Sequence, residues 1–212
     1  MLPGPIIIYQ CPKCDNLLYR ESLMSGNTFG AKSYSDGKRI APMLPSFPNL
    51  TICSKCNTVF WIKDAIEVGS YEWENDEGIN ENWKNAQKVR FLTIEEYSET
   101  LHTLIPSTLE DLIYISQEIW WGFNDRIRNG EELFSSDSDK ELWTENVNSL
   151  LELLDLNNVN QKIMIAELYR NMGRFEKCME VLGSIEIPQL SWLKTKFEKE
   201  CNDKNTKVFL LN

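Results

Sequence analysis

One histidine, His102, is all the imidazole this chain has. General acid–base catalysis and nucleophilic triads lean on that side chain, and here it leaves no Ser-His or Cys-His constellation with independent support. A zinc deaminase would need His-x-Glu, whereas the residues are His102-Thr103-Leu104. Neither the P-loop nor the GxGxxG glycine pattern is present. No window approaches the ~20 apolar residues of a membrane span. The first apolar run, Ile6-Ile7-Ile8-Tyr9, is too short for a signal h-region and lacks a basic start. These absences weigh against an enzyme, make His102 a partly exposed structural residue, and lead us to expect a soluble, cytoplasmic protein that does not enter a membrane.

Positive charge is the next deficit. Lys and Arg number 22 against 32 Asp and Glu, a formal net charge of −10. The split is uneven: residues 1–64 carry seven basic and four acidic side chains, residues 65–212 fifteen and twenty-eight. A broad basic nucleic-acid surface does not fit this balance.

Cysteine is the exception to the scarcity. Cys11-Pro12-Lys13-Cys14 and Cys53-Ser54-Lys55-Cys56 each place two thiols three positions apart, and the other two cysteines, Cys178 and Cys201, fall in helical context. A tight turn at CxxC spacing aims both sulfurs at one ion, and a second copy completes a tetrahedron. The expected cofactor is one structural Zn2+ held by Cys11, Cys14, Cys53 and Cys56, with a rubredoxin-like iron site as the rival. Four thiolates leave such an ion no position for water or substrate, so the site is structural. Thiols used this way fit a reducing compartment better than a disulfide framework.

A short strand at residues 5–10 leads into the first knuckle, and Thr58–Ile62 forms its matching outgoing strand, so that one ion pins a two-stranded ribbon. Thirty-eight residues separate the knuckles, rich in turn signals such as Ser25-Gly26-Asn27 and Ser35-Asp36-Gly37, and in Pro42, Pro45 and Pro48. They read as an ordered loop insertion, or, through Phe29, Lys32, Tyr34, Lys38 and Arg39, as an interaction surface. Ile66–Trp73 and Lys88–Leu92 are strand candidates. Between them Glu74–Gly78 reads as a solvated hairpin tip and Asn80–Asn85 as a polar loop.

From residue 93 the hydrophobic period changes to 3.6. Thr93 and Glu96 form a capping box, and Ser107 with Glu110 repeats it before a helix running to about Arg128 and ended by Asn129-Gly130. Leu112, Ile115, Ile119 and Phe123 form its stripe. Ser138 and Glu141 cap the next helix, whose stripe is Trp143, Val147, Leu150, Leu151 and Leu154. A last helix spans Leu190–Cys201, with Trp192, Leu193 and Phe197 inward. Within Trp120–Arg128, helical spacing puts Trp120 with Asn124 and Ile127, and Trp121 with Asp125 and Arg128. That stretch is either a helix packed on two sides, with Asp125–Arg128 a local ion pair, or a recognition face using Trp120, Trp121, Asp125, Arg126 and Arg128.

Strand, Cys-Pro-x-Cys turn, long excursion and second Cys-x-x-Cys turn together resemble a zinc ribbon or rubredoxin-like knuckle module over about the first sixty-four residues. Asp15 and Asn57 stand where Gly often follows the second cysteine. Both residue types tolerate left-handed backbone, so the turns survive. Ile165–Cys178 resembles one tetratricopeptide repeat: Ala166 and Cys178 fall at its small positions, Tyr169 packs, Gly173 lies in the turn and Phe175 opens the second helix, while Lys162 replaces the expected Trp. One repeat cannot bury its own faces, so the preceding and following helices must flank it. The combination resembles a prokaryotic family of uncharacterised cytoplasmic proteins, which implies no activity.

The expected fold class is α+β, with a zinc-ribbon β module and hairpin extension over residues 1–92 and an all-helical, tetratricopeptide-like domain over 93–212, its repeat-like hairpin at about 161–186. The expected function is a non-catalytic zinc-binding protein-interaction module with a protein or peptide partner. The alternative is a nucleic-acid-associated ribbon protein using Lys13, Lys32, Lys38, Arg39 and Lys55.

Overall fold

Each cysteine turn is the tip of its own hairpin. The computed structural model describes residues 1–72, 79–103 and 105–212. The acidic run Glu74–Gly78, with Trp73, lies outside the described residues. Fold class is α+β: a strand-rich region near the N-terminus and helices over most of the remainder. The chain forms two compact units, one of Met1–Ala31 with Ile40–Glu96 and the other of Lys32–Arg39 with Tyr97–Asn212.

In the first unit, β1 (Leu2–Pro3) pairs with β4 (Leu23–Ser25). β2 (Ile6–Gln10) and β3 (Leu17–Arg20) form the first hairpin. They lie in a four-stranded sheet of order β10-β3-β2-β9, with β9 (Ile66–Tyr71) antiparallel to β2 and β10 (Gln87–Lys88) parallel to β3. β7 (Leu50–Ile52) and β8 (Val59–Trp61) make the second hairpin. The sequence reading paired the strand before the first knuckle with the strand after the second. Each instead pairs within its own hairpin, because a short loop, residues 11–16 in one and 53–58 in the other, returns the chain directly beside the strand it left. Tyr9, Leu18, Phe60, Ile62 and Val89 close around Cys11 and Cys53 as the core.

The expected polar loop at 80–85 differs too. Asn80 caps a one-turn helix, α1 (Glu81–Lys84), by accepting the Asn82 N–H. Its Trp83 ring stacks on Tyr71 at a centroid distance of 6.3 Å. The same ring covers Gly69, where φ is +154° and a Cβ would come within 2.4 Å of the indole. Only glycine admits that approach.

In the second unit, β5 (Lys32–Ser33) turns into β6 (Arg39–Ile40), which returns to the first unit. The helices are α2 (Ile94–Leu101), α3 (Leu109–Arg128), α4 (Asp137–Leu153), α5 (Val159–Asn171), α6 (Phe175–Gly183) and α7 (Ser191–Asn202), the first three residues of α2 belonging to the first unit. The Thr93–Glu96 box forms reciprocally, at 2.8 and 3.2 Å. The next two caps lie downstream and upstream of their expected places. Thr108 accepts the Asp111 N–H and Ser136 that of Asp139, at 3.1 Å each. α3 ends where expected, with Gly130 at φ +79°.

Helices α5 and α6 form a helical hairpin over the expected stretch. Ala166 and Cys178 are fully buried, Gly173 turns at φ +72° and Phe175 opens α6. α7 contributes Leu193 and Phe197 to the same cluster. Trp192 is not inward as the spacing suggested. It is 49% exposed, because Leu193, Phe197 and Cys201 at i, i+4 and i+8 define the buried stripe and Trp192 lies one position off it.

Candidate metal centre

Both cysteine turns are built alike. In the first, Cys11 N–H donates to Asn16 O at 2.8 Å and Asp15 N–H to Cys11 O at 3.2 Å. In the second, Cys53 N–H donates to Thr58 O at 3.0 Å and Asn57 N–H to Cys53 O at 2.8 Å. Asp15 and Asn57 adopt φ of 58° and 55°, the left-handed geometry that closes each knuckle.

The two turns bring Cys11, Cys14, Cys53 and Cys56 together, with all four sulfurs within 4.8 Å of one another. Cys11 Sγ lies 3.7 Å from Cys56 Sγ, and Cys14 Sγ 3.6 Å from Cys53 Sγ. A tetrahedral ion with metal–sulfur bonds of about 2.3 Å needs sulfur–sulfur edges of about 3.8 Å. The thiols present therefore fit a metal ion in number, donor type and spacing.

The electrostatics show what a cation would offset there. Burial raises the Cys11 thiol, and the backbone N–H groups of Lys13 and Cys14 oppose that rise. At Cys14 the backbone bond from Asn16 lowers the pKa, but burial and the other thiols together push it up to about 12. At Cys56 the Thr58 hydroxyl, 3.2 Å away, dominates and brings it down to about 6. Four crowded thiols cannot all ionise together unless a cation offsets their repulsion.

Two supporting residues carry no motif signal. Thr58 flanks Cys56 by two residues. Gln87 braces the second knuckle with both ends of its amide: Oε1 accepts the Ser54 N–H at 2.7 Å and Nε2 donates to Ile52 O at 3.0 Å. Only the pairing of β10 with β3 brings Gln87 into reach.

The residues singled out for interaction fall into two groups. Phe29 is 81% exposed, and Lys32 and Arg39 are exposed. The others are engaged within the second unit, where the insertion meets α3. Trp121 Nε1 donates to Asp36 O at 3.0 Å, and Lys38 Nζ reaches Asp125 at 2.5 Å while lying over the Trp121 ring. Arg128 pairs with Asp125 at 2.6 Å and with the fully buried Asp36 carboxylate, its guanidinium 4.6 Å from the Tyr34 ring centroid. Trp120 is fully buried and donates to Asn171 Oδ1 at 2.9 Å. Arg126 bonds Asp139 at 2.6 Å and holds that carboxyl down at about 2. Two stretches read as separate surfaces thus include side chains that satisfy one another.

The same segment is held from its other side. Ser35 Oγ donates to Glu167 at 2.7 Å, and Ser35 exchanges backbone and side-chain bonds with Phe209. Glu167 and Arg170 are fully buried and paired at 2.5 Å, and Arg170 also donates to Lys207 O at 2.9 Å. Burial raises the Glu167 carboxyl against the pull of Arg170 and Ser35.

No helix among the described residues is long and apolar enough to cross a membrane. No family model, no curated protein and no solved structure matches this chain, so the ribbon, tetratricopeptide and prokaryotic-family resemblances rest on the residues quoted for them.

Proposed function

We propose that this is a non-catalytic zinc-binding protein whose metal shapes a module for protein or peptide recognition. The observation that carries the reading is the mutual approach of four cysteine sulfurs to within 4.8 Å. Zinc is preferred because it suits four thiolates and a redox-silent structural role. When bound, the ion supplies a cross-link between the two hairpins and no reactive position. Cys11, Cys14, Cys53 and Cys56 hold it, Thr58 and the knuckle amides offset their charge, and Gln87 keeps the second turn in place.

Support for recognition comes from the exposed apolar side chains of the insertion, Met24 at 68% and Phe29 at 81%. The nucleic-acid alternative draws on Lys13, Lys32, Arg39 and Lys55, all exposed, but Lys38 is committed to Asp125.

Metal analysis of the purified chain tests the first part. About one zinc per chain is expected, falling to near zero in Cys11→Ser/Cys53→Ser; iron in its place, or no metal, overturns it. For the second part, wild type and Met24→Ser/Phe29→Ser are compared in capture from native lysate. Oligonucleotide binding is measured across a salt series, since phosphate contacts weaken steeply with salt. Salt-sensitive oligonucleotide binding without loss of captured protein in the variant favours the alternative.

A further inference from the structure

A cleft of about 280 Å3 opens among α2, α3 and α4, within the helical unit. Its apolar wall includes Leu112 and Ile119 of α3 and Leu142 of α4. Asn146 and Ser116 join the lining, and Glu145, Glu152 and His102 add polar groups to it. Among the described residues no Lys or Arg lines it.

Asn146 makes this more than a crevice. It is 5% exposed, and its Nδ2 donates to Ser116 O at 2.9 Å, tying α4 to α3. That bond sets the amide's orientation, since the reverse would oppose two acceptors. Oδ1 is then a buried acceptor to which no described residue donates. Buried polar atoms are almost always partnered, and an exception calls for a donor from elsewhere.

The two glutamates specify the donor. Glu145 and Glu152 are seven residues apart, two turns along the same face of α4, and both are exposed. No ion pair holds either of them among the described residues. A carboxylate or phosphate entering here would meet like charge, and a neutral alcohol would gain no attraction from the glutamates. An ammonium group has three donors and the complementary charge.

We propose that this cleft binds a small primary amine with a hydrocarbon or aromatic body, its ammonium donating to Asn146 and attracted by the charges of Glu145 and Glu152, its body lying on Leu112, Ile119 and Leu142. The size fits: the volume is near the lower end of ligand pockets, roughly 300 Å3. The proposal is independent of the metal reading, and a chain found without zinc leaves it standing.

The test is titration of the full chain with 2-phenylethylamine, followed by amide chemical shifts, beside 2-phenylethanol and 3-phenylpropanoate of similar size. Saturable binding of the amine is expected, with shifts concentrated in α2, α3 and α4, weaker binding of the alcohol and none of the carboxylate. Glu145→Gln/Glu152→Gln changes only exposed side chains. It should weaken the amine by about two- to thirtyfold, as two exposed charge contacts predict, and leave the alcohol unchanged. The proposal is overturned by an alcohol that binds as well as the amine, by a double variant that binds the amine undiminished, or by no saturable shift at millimolar amine.

Discussion

Glu167 has four donors around one buried carboxylate: Arg170 twice, Ser35 and Asn171. Removing one member of a buried ion pair strands the other, which costs about 3–5 kcal/mol, whereas exchanging both for apolar groups of similar volume is often near neutral. Glu167→Ala should therefore lower the denaturant stability of the helical unit by about that amount, and Glu167→Leu/Arg170→Met should recover much of it. A loss below about 1 kcal/mol in the single variant would remove the pair from its structural role. Glu118 tests a second, half-buried carboxyl. Burial raises it from 4.5 to about 7, against the opposing effects of Lys38 and the Tyr114 hydroxyl. A raised carboxyl favours the folded state while protonated. Its contribution is complete below about pH 4.5 and is lost as pH rises through about 7. Wild type should lose up to about 3 kcal/mol relative to Glu118→Gln over that window, with the difference level above it. A difference flat across the window contradicts this placement. Neither carboxyl was legible in the sequence, where Glu167 lies among ordinary helical residues, because burial is conferred by segments distant along the chain.

At the scale of elements, local chemistry was readable where it closes within a few residues. The Thr93–Glu96 box, the Gly130 stop and the left-handed Asp15 and Asn57 needed only their neighbours. Caps competing within one short stretch were displaced. Ser107 lost to Thr108, and its backbone N–H donates to Asp111 instead; Ser138 lost to Ser136. The α7 stripe shows how one position matters. Phe197→Ala should cost about 3–5 kcal/mol, because the ring is fully buried and packs edge-on against Phe209 at 5.3 Å. Trp192→Ser, half exposed, should cost within about 0.5 kcal/mol. Thermal or denaturant unfolding followed by far-ultraviolet circular dichroism distinguishes them, and equal losses would mean that the stripe is misassigned.

At the scale of the molecule, the insertion between the knuckles changes units. Lys32–Arg39 belongs with the helices while both its flanks belong with the strands. The segment is held by α3, by the Glu167–Arg170 pair and by the C-terminal residues around Phe209. Under the zinc reading, stripping the metal with a strong chelator should broaden the amide signals of residues 6–20 and 50–61, whose hairpins depend on the ion. The Glu167 cluster, fully bonded without it, should stay protected from hydrogen exchange. Loss of both together would mean that the helical unit also depends on the ion.

Spacing alone pointed to the four cysteines that the fold brings together, because each turn is local and two thiols three residues apart have few ways to point. The 3.6 period likewise determined the α+β division and most helix stripes. Tertiary structure alone decided which hairpin each strand joined, that Gln87 braces a knuckle, and that Tyr34 and Lys38 face Trp121, Asp125 and Arg128. Those pairings join residues as far apart as Lys38 and Asp125, 87 positions, and the same insertion reaches 174 positions from Ser35 to Phe209. At that separation side-chain complementarity is realised only after the chain has closed the loop, and no local pattern records it.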